Sequence, residues 1–239
     1  MTDRKLKIYA IVVTVLFVFA AASCLFLVLN DKNTDFTEGK TEVSDSQKVR
    51  TLAFNGWNNT MMKLDYDSDI VFFGDSHTAR SDFREFFPDK KTVTLGCPGD
   101  NLLGMQKRVP GIAAVTPEQV FVLGGENGLK ADNIDKSIGQ YENLITTIKE
   151  ELPDTQLIIL SALPVREDNR LGFCSNDVIV GFNEKLKPLA EDLGCDYVDI
   201  YSLYLDENGE LDETLTEDGV HLKPEAYDRW AEAIRQYVG

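Results

Sequence analysis

"IVFFGDSHTAR", residues 70–80, runs four apolar residues straight into Gly74-Asp75-Ser76 and then into one of the chain's two histidines. A short unbroken apolar run, closed by glycine and followed by polar residues, suits a strand buried on both faces that turns into a helix. Ser76 then has two readings. It is either a helix-capping serine or a nucleophile held up on a strand-to-helix turn. His77 raises a second question, because histidine is the usual base for serine.

The same pattern recurs downstream. Strands are expected over 70–73, 92–95, 120–123, 157–160 and 197–200, and helices over 78–86, 101–109, 134–151, 177–193 and 224–237. Apolar strands that alternate with amphipathic helices predict a parallel sheet covered on both faces. The expected class is therefore α/β, a three-layer α/β/α sandwich with a flavodoxin-like parallel sheet of about five strands. No internal repeat interrupts it.

The 239-residue chain is 43% hydrophobic and 27% charged, enough for one domain with a real core plus an appendage. Its formal net charge of −16 argues against nucleic acid as a partner. Arg4, Lys5 and Lys7 precede an apolar run at 8–29, about 22 residues, which suffices for a bilayer of roughly 30 Å. Ala21-Ala22-Ser23-Cys24 is similar to a lipoprotein cleavage box, but residues 25–29 stay apolar beyond the cysteine. The expectation is an uncleaved transmembrane helix with the amino terminus in the cytoplasm and the rest of the chain extracytoplasmic. The organisation that follows is a cytoplasmic stub and membrane anchor at 1–30, a polar juxtamembrane linker at 31–50, and a domain at 51–239 that a mildly amphipathic helix at 52–64 opens. Cys97, Cys174 and Cys195 remain outside the span, and no spacing among them suggests zinc, so none is read as a metal ligand. They suit small buried hydrophobes, with a Cys174–Cys195 bridge left open.

Sheets of this class bind ligands at the carboxyl ends of their strands. Those ends carry Gly74-Asp75-Ser76-His77, Gly96-Cys97-Pro98-Gly99-Asp100, Gly124-Gly125-Glu126-Asn127-Gly128 and Ser161-Ala162, with Asp218-Gly219-Val220-His221 ahead of the last helix. Chemistry on an acyl group needs a nucleophile, a base, an orienter for that base, and donors for a developing oxyanion. His77 follows Ser76 directly, so the two side chains diverge, and His77 reads as a turn or rim residue. His221 can fold over the strand ends on a loop, and Asp218 on the same loop can fix its tautomer. The Ser76 N–H, the Gly99 N–H and the Asn127 amide are the candidate oxyanion donors. Cys97 lies near them but has no histidine to pair with.

GDS at 74–76, Gly99-Asp100, GxN at 125–127 and DxxH at 218–221, with the closing "DGVHLKPEAY", resemble the SGNH, or GDSL-type, hydrolases in motif content and order. The resemblance covers residue 69 to the carboxyl terminus. It implies a serine hydrolase with Ser76 as nucleophile, His221 as base, Asp218 as its orienter, and Ser76, Gly99 and Asn127 as the oxyanion hole, with no metal or cofactor. Two departures stand out: His77 where the family often has leucine, and Gly125-Glu126-Asn127-Gly128 where it usually reads GxND. A shift of one residue would put Glu126 in the asparagine's place, where an anion could not stabilise an oxyanion. The implied activity is cleavage of small acyl esters, O-acetyl above all, on a small molecule, carbohydrate or cell-surface polymer. An O-acyltransferase with the same triad and a non-catalytic glycan-binding protein are the alternatives. Loops at 165–173 and 203–216 are expected to choose the substrate.

Overall fold

In the computed structural model, residues 68–238 are described, apart from 170 and 173. The expected anchor, linker and leading helix fall outside them. Among the described residues, no helix is long and apolar enough to cross a membrane.

Five parallel strands form one sheet: β1 (Ile70–Gly74), β2 (Thr92–Gly96), β3 (Gln119–Leu123), β4 (Gln156–Leu160) and β5 (Asp196–Val198). Their spatial order is β2-β1-β3-β4-β5, as expected for this fold class. The order reverses between β1 and β3, where ligands bind in doubly wound sheets. Val71, Val120 and Ile159 are as fully buried as Ile70, Phe121 and Ile158, so the three central strands β1, β3 and β4 hide both faces, while the edge strands β2 and β5 are partly exposed.

One face packs on Phe83, Phe87 and the last helix, α5 (Tyr227–Ile234), with Phe72 stacked on Phe83 at 3.7 Å between ring centroids. Phe83 also meets Trp230 edge-on at 5.2 Å. The other face is covered by α2 (Leu102–Ala113), α3 (Ile134–Glu151) and α4 (Asn176–Asp192). Arg108 of α2 lies 4.6 Å over the Phe73 ring, and the Tyr141 hydroxyl of α3 donates to the Val122 carbonyl at 3.3 Å. Phe182 of α4 packs against Tyr141. These are the three layers.

The helix expected over 78–86 is absent. A single helical turn, α1 (Ser76–Ala79), ends at Arg80, and turns follow as far as Pro88. Ser81 donates its hydroxyl to the Thr78 carbonyl, and Asp82 accepts from the Arg84 N–H, so side chains take over helical backbone partners. The helix expected over 101–109 instead runs on through Pro110 to Ala113, because Ile112 is drawn fully into the core. The final helical segment is 3₁₀ at Pro224–Ala226, α at Tyr227–Ile234 and 3₁₀ again at Arg235–Tyr237. Cys174 and Cys195 are separate thiols.

Two glycines contrast in what their neighbours permit. A Cβ on Gly96 would fall against the Ala79 backbone, so β2 and α1 touch without a side chain between them. Gly139, inside α3, has nothing within 4 Å of that position. Gly96→Ala is therefore expected to destabilise by about 1–3 kcal/mol, whereas Gly139→Ala gains roughly 0.5–1 kcal/mol. Denaturation midpoints that move in opposite directions check both.

Candidate active site

Asp75 leaves β1 and caps α1, its Oδ1 accepting from the His77 N–H at 3.1 Å. The cap is therefore Asp75, and Ser76 opens the helical turn with its side chain directed elsewhere. Ser76 Oγ lies 3.0 Å from His221 Nε2 across 145 residues of chain. His221 Nδ1 in turn lies 2.7 Å from Asp218 Oδ2.

The loop carrying these two groups is shaped by its own sequence. Asp218 Oδ1 accepts from the backbone N–H groups of Val220 at 3.0 Å and His221 at 2.8 Å, an Asx turn that brings the ring back over its own carboxylate. Gly219 takes φ +82°, a left-handed conformation that side chains resist, and a Cβ there would meet Asn169 at 2.9 Å. The loop is fixed on one side by Thr216 Oγ1, which accepts from the Gly219 N–H at 3.0 Å, and on the other by the Arg166 N–H, which donates to the Gly219 carbonyl at 2.8 Å.

The electrostatics follow from these contacts. Partial burial pushes the Asp218 carboxyl up, but the His221 ring and the two backbone donors outweigh it and hold the carboxyl down at about 2. Burial pushes His221 below the ordinary histidine value of 6.5; the Asp218 hydrogen bond acts against it, and His77 acts with it. An ionised Asp218 accepts the hydrogen bond from Nδ1–H and so fixes the tautomer, which leaves Nε2 as the acceptor that Ser76 faces.

Asn127 links the two turns that carry the other expected oxyanion donors, Ser76 and Gly99. Its Nδ2 donates to the Asp100 carbonyl at 2.8 Å, beside Gly99, and reaches Asp75 Oδ2, beside Ser76, at 3.4 Å. Gly99 has φ +71°, again the left-handed region. Asn127 occupies this place rather than Glu126, which turns the other way, its Oε1 accepting from the Leu163 N–H at 2.6 Å. Gly125, at φ +112°, turns the chain just ahead of this pair, and a Cβ there would strike Phe182 at 2.6 Å.

His77 corrects an expectation. It is a buried residue 1% exposed, not a rim residue, and its Nε2 lies 3.2 Å from Glu126 Oε2. Burial pushes the Asp75 carboxyl up to about 7, the Glu126 charge adds to that, and the His77 contact opposes it.

Beneath the turn lies a second group that sequence reasoning missed. Arg108 Nε donates to Asp100 Oδ2 at 2.7 Å, and its two terminal nitrogens donate to the Leu95 carbonyl at 2.9 Å and the Gly74 carbonyl at 2.8 Å. A signal for it exists. Arg108 falls on the buried stripe of α2 with Met105, Val109 and Ile112, so a charge sits at core spacing.

The GDSL-like lipase/acylhydrolase family matches the chain over residues 72–229, about two thirds of its length. The chain belongs to that family. A multidomain esterase of Ruminococcus flavefaciens is 25% identical over 188 residues, covering 73% of this chain. The match spans 22% of that relative's own length. Among solved structures, a GDSL-like lipase of Bacteroides thetaiotaomicron aligns with TM-score 0.64 at 21% identity, covering 78% of this chain and 96% of that one. An acetyl xylan esterase aligns with TM-score 0.61 at 19% identity, covering 71% and 99%. A lipase/acylhydrolase of Enterococcus faecalis gives 0.60 at 19% identity, covering 71% and 94%. At these identities the structures attest the shared acylhydrolase fold.

Arg108 and Asp100 have side chains 0% and 1% exposed, so removing one strands the other's charge without water. Arg108→Met is expected to cost about 3–5 kcal/mol. Adding Asp100→Asn to that background recovers part of the loss, and equilibrium denaturation of the three proteins reads the difference.

Proposed function

We propose that this protein is a serine esterase that removes small acyl groups, O-acetyl above all, from hydroxylated acceptors of the carbohydrate type. The observation that carries the reading is the unbroken relay from Ser76 Oγ through the His221 ring to Asp218, at 3.0 and 2.7 Å.

Each step uses a group already in place. Ser76 Oγ attacks the ester carbonyl while His221 Nε2 takes its proton, and Asp218 stabilises the imidazolium that forms. The negative charge moves to the carbonyl oxygen, where the Ser76 N–H and the Gly99 N–H can receive it, joined by the Asn127 amide as one of its donors leaves the longer 3.4 Å contact with Asp75. Collapse expels the alcohol, which takes the proton from His221 and leaves an acyl group on Ser76. Water then attacks that acyl-enzyme, His221 takes one of its protons, and the carboxylic acid departs as the proton returns to Ser76.

Support for a hydroxylated acceptor comes from the two loops expected to set specificity. They meet beside the base loop, where Arg166 approaches Asp168, Asp206 and Glu210 at 3.0, 3.7 and 3.5 Å. A cavity of about 190 Å³ opens there between Arg166, Glu213, Glu217 and Asp218. Its polar walls suit sugar hydroxyls better than an acyl chain. The acetyl xylan esterase among the similar structures points the same way. The run at 8–29 with Arg4, Lys5 and Lys7 ahead of it supports a membrane-held enzyme that works on the extracytoplasmic side.

Ser76→Ala in the full chain is expected to lower p-nitrophenyl acetate hydrolysis by at least about 10³-fold, and Asp218→Asn by a factor on the order of 10³ to 10⁴. Rates that Ser76→Ala leaves untouched would sink the assignment. The sign of the pH dependence follows from His221. Its ionisation lies below the ordinary 6.5, so kcat/KM should hold on the acid side and fall only beneath that value.

A further inference from the structure

The ester chemistry leaves one histidine–carboxylate pair unused. Glu126 Oε2 lies 3.2 Å from His77 Nε2, and both side chains are only 2% exposed. The other Glu126 oxygen accepts from the Leu163 N–H at 2.6 Å, so the carboxylate joins the turn after β1 to the loop after β4. Glu126 also immediately precedes Asn127, so whatever fixes the one aims the other. The His77 ring stands next to the His221 ring, with centroids 5.4 Å apart and planes inclined at 44°.

We propose that His77 and Glu126 are positioning residues for this reaction, tying the nucleophile's turn to the Asn127 loop and holding a positive charge behind His221 that keeps the base unprotonated. This rests on the roles given above to Ser76 and His221.

The charges around each ring fix the order of protonation. His77 faces Glu126 from the loop after β3, Asp75 from its own turn, Arg80 at the end of α1, and His221 from the base loop; the Tyr227 hydroxyl of α5 donates to its backbone carbonyl at 2.7 Å. Burial disfavours the imidazolium, but the charge and hydrogen bond of Glu126, then Asp75, outweigh it against Arg80 and lift His77 above its ordinary value. His221 faces Asp218, His77 and Arg80, and lies below its ordinary value. His77 therefore takes a proton first, and its charge disfavours the second. Among the described residues, its buried Nδ1 has no hydrogen-bond partner, so the pairing with Glu126 is the ring's one polar contact through its nitrogens.

The test is the acid limb of kcat/KM for p-nitrophenyl acetate in the full chain, compared across wild type, His77→Gln, Glu126→Gln and the double variant. Each single change should move the limb to higher pH by about one unit. The double should move it no further, since either change alone leaves position 77 uncharged. A limb that stays in place in both singles, or shifts that add in the double, overturns the proposal. A structural role alone would lower kcat or stability and leave the limb where it was. The chain has two histidines, so imidazole-nitrogen NMR of full-length Ser76→Ala protein resolves each ring even if the Gln variants do not fold. His77 charged at a pH where His221 is neutral is the expected result, and His77 neutral there overturns the inference. Failure of the nucleophile assignment shows up separately, as a wild-type rate that Ser76→Ala does not lower.

Discussion

Arg108 reaches from α2 across the carboxyl edge of the sheet, and three separate pieces of chain converge on its planar head: the Gly74 carbonyl that ends β1, the Leu95 carbonyl near the end of β2, and the Asp100 carboxylate of the next turn. The position of Ser76 relative to Gly99 depends on that convergence, because one residue follows Gly74-Asp75 and the other precedes Asp100. A lysine offers a point charge on a flexible stem and could not address three acceptors in a fixed fork. Burying a guanidinium is expensive unless its donors are used. Here the cation lies against the face of Phe73 at 4.6 Å and spends its donors on groups that would otherwise be hard to satisfy.

The same edge carries two histidine–carboxylate pairs with different surroundings. In the pair from the base loop, the Asp218 side chain is 29% exposed and collects two backbone N–H groups, so its charge is well supported. Glu126 is sealed from water, and so is its histidine. His221 is the less enclosed of the two rings, while at His77 it is the Glu126 contact, against the cost of burial, that favours the charged ring. The two rings stand 5.4 Å apart on that edge, each with its own carboxylate.

The legible parts of the sequence were those in which a single period dominates. The helix at 134–151 was readable to the residue, since Tyr141, Leu144, Ile145 and Ile148 fall on one stripe. The three central strands were readable because each carries a run of apolar residues buried on both faces, and the edge strands by their short β-branched or aromatic runs. The stretch at 78–86 misled for a local reason: Ser81 and Asp82 bond backbone groups that a helix would need, a competition that periodicity does not register. Ser76, Asp218, His221, Gly99 and Asn127 were all visible as residues at strand ends or in the last loop. The support beneath them was not. His77 and Glu126 looked like two unrelated departures, and only the sheet order that sets β1 beside β3 makes them one contact.

The closing stretch of chain does more than supply a base. The Tyr227 hydroxyl reaches back 150 residues to the His77 carbonyl, and Trp230 closes over Phe83, so the segment that delivers His221 also covers the sheet face below Ser76. Contacts so distant along the chain carry a large loop-closure cost in entropy. The relay from Ser76 to Asp218 is thus assembled by the seating of this one segment, and lifting α5 from the sheet face would also withdraw the His221 ring from the serine.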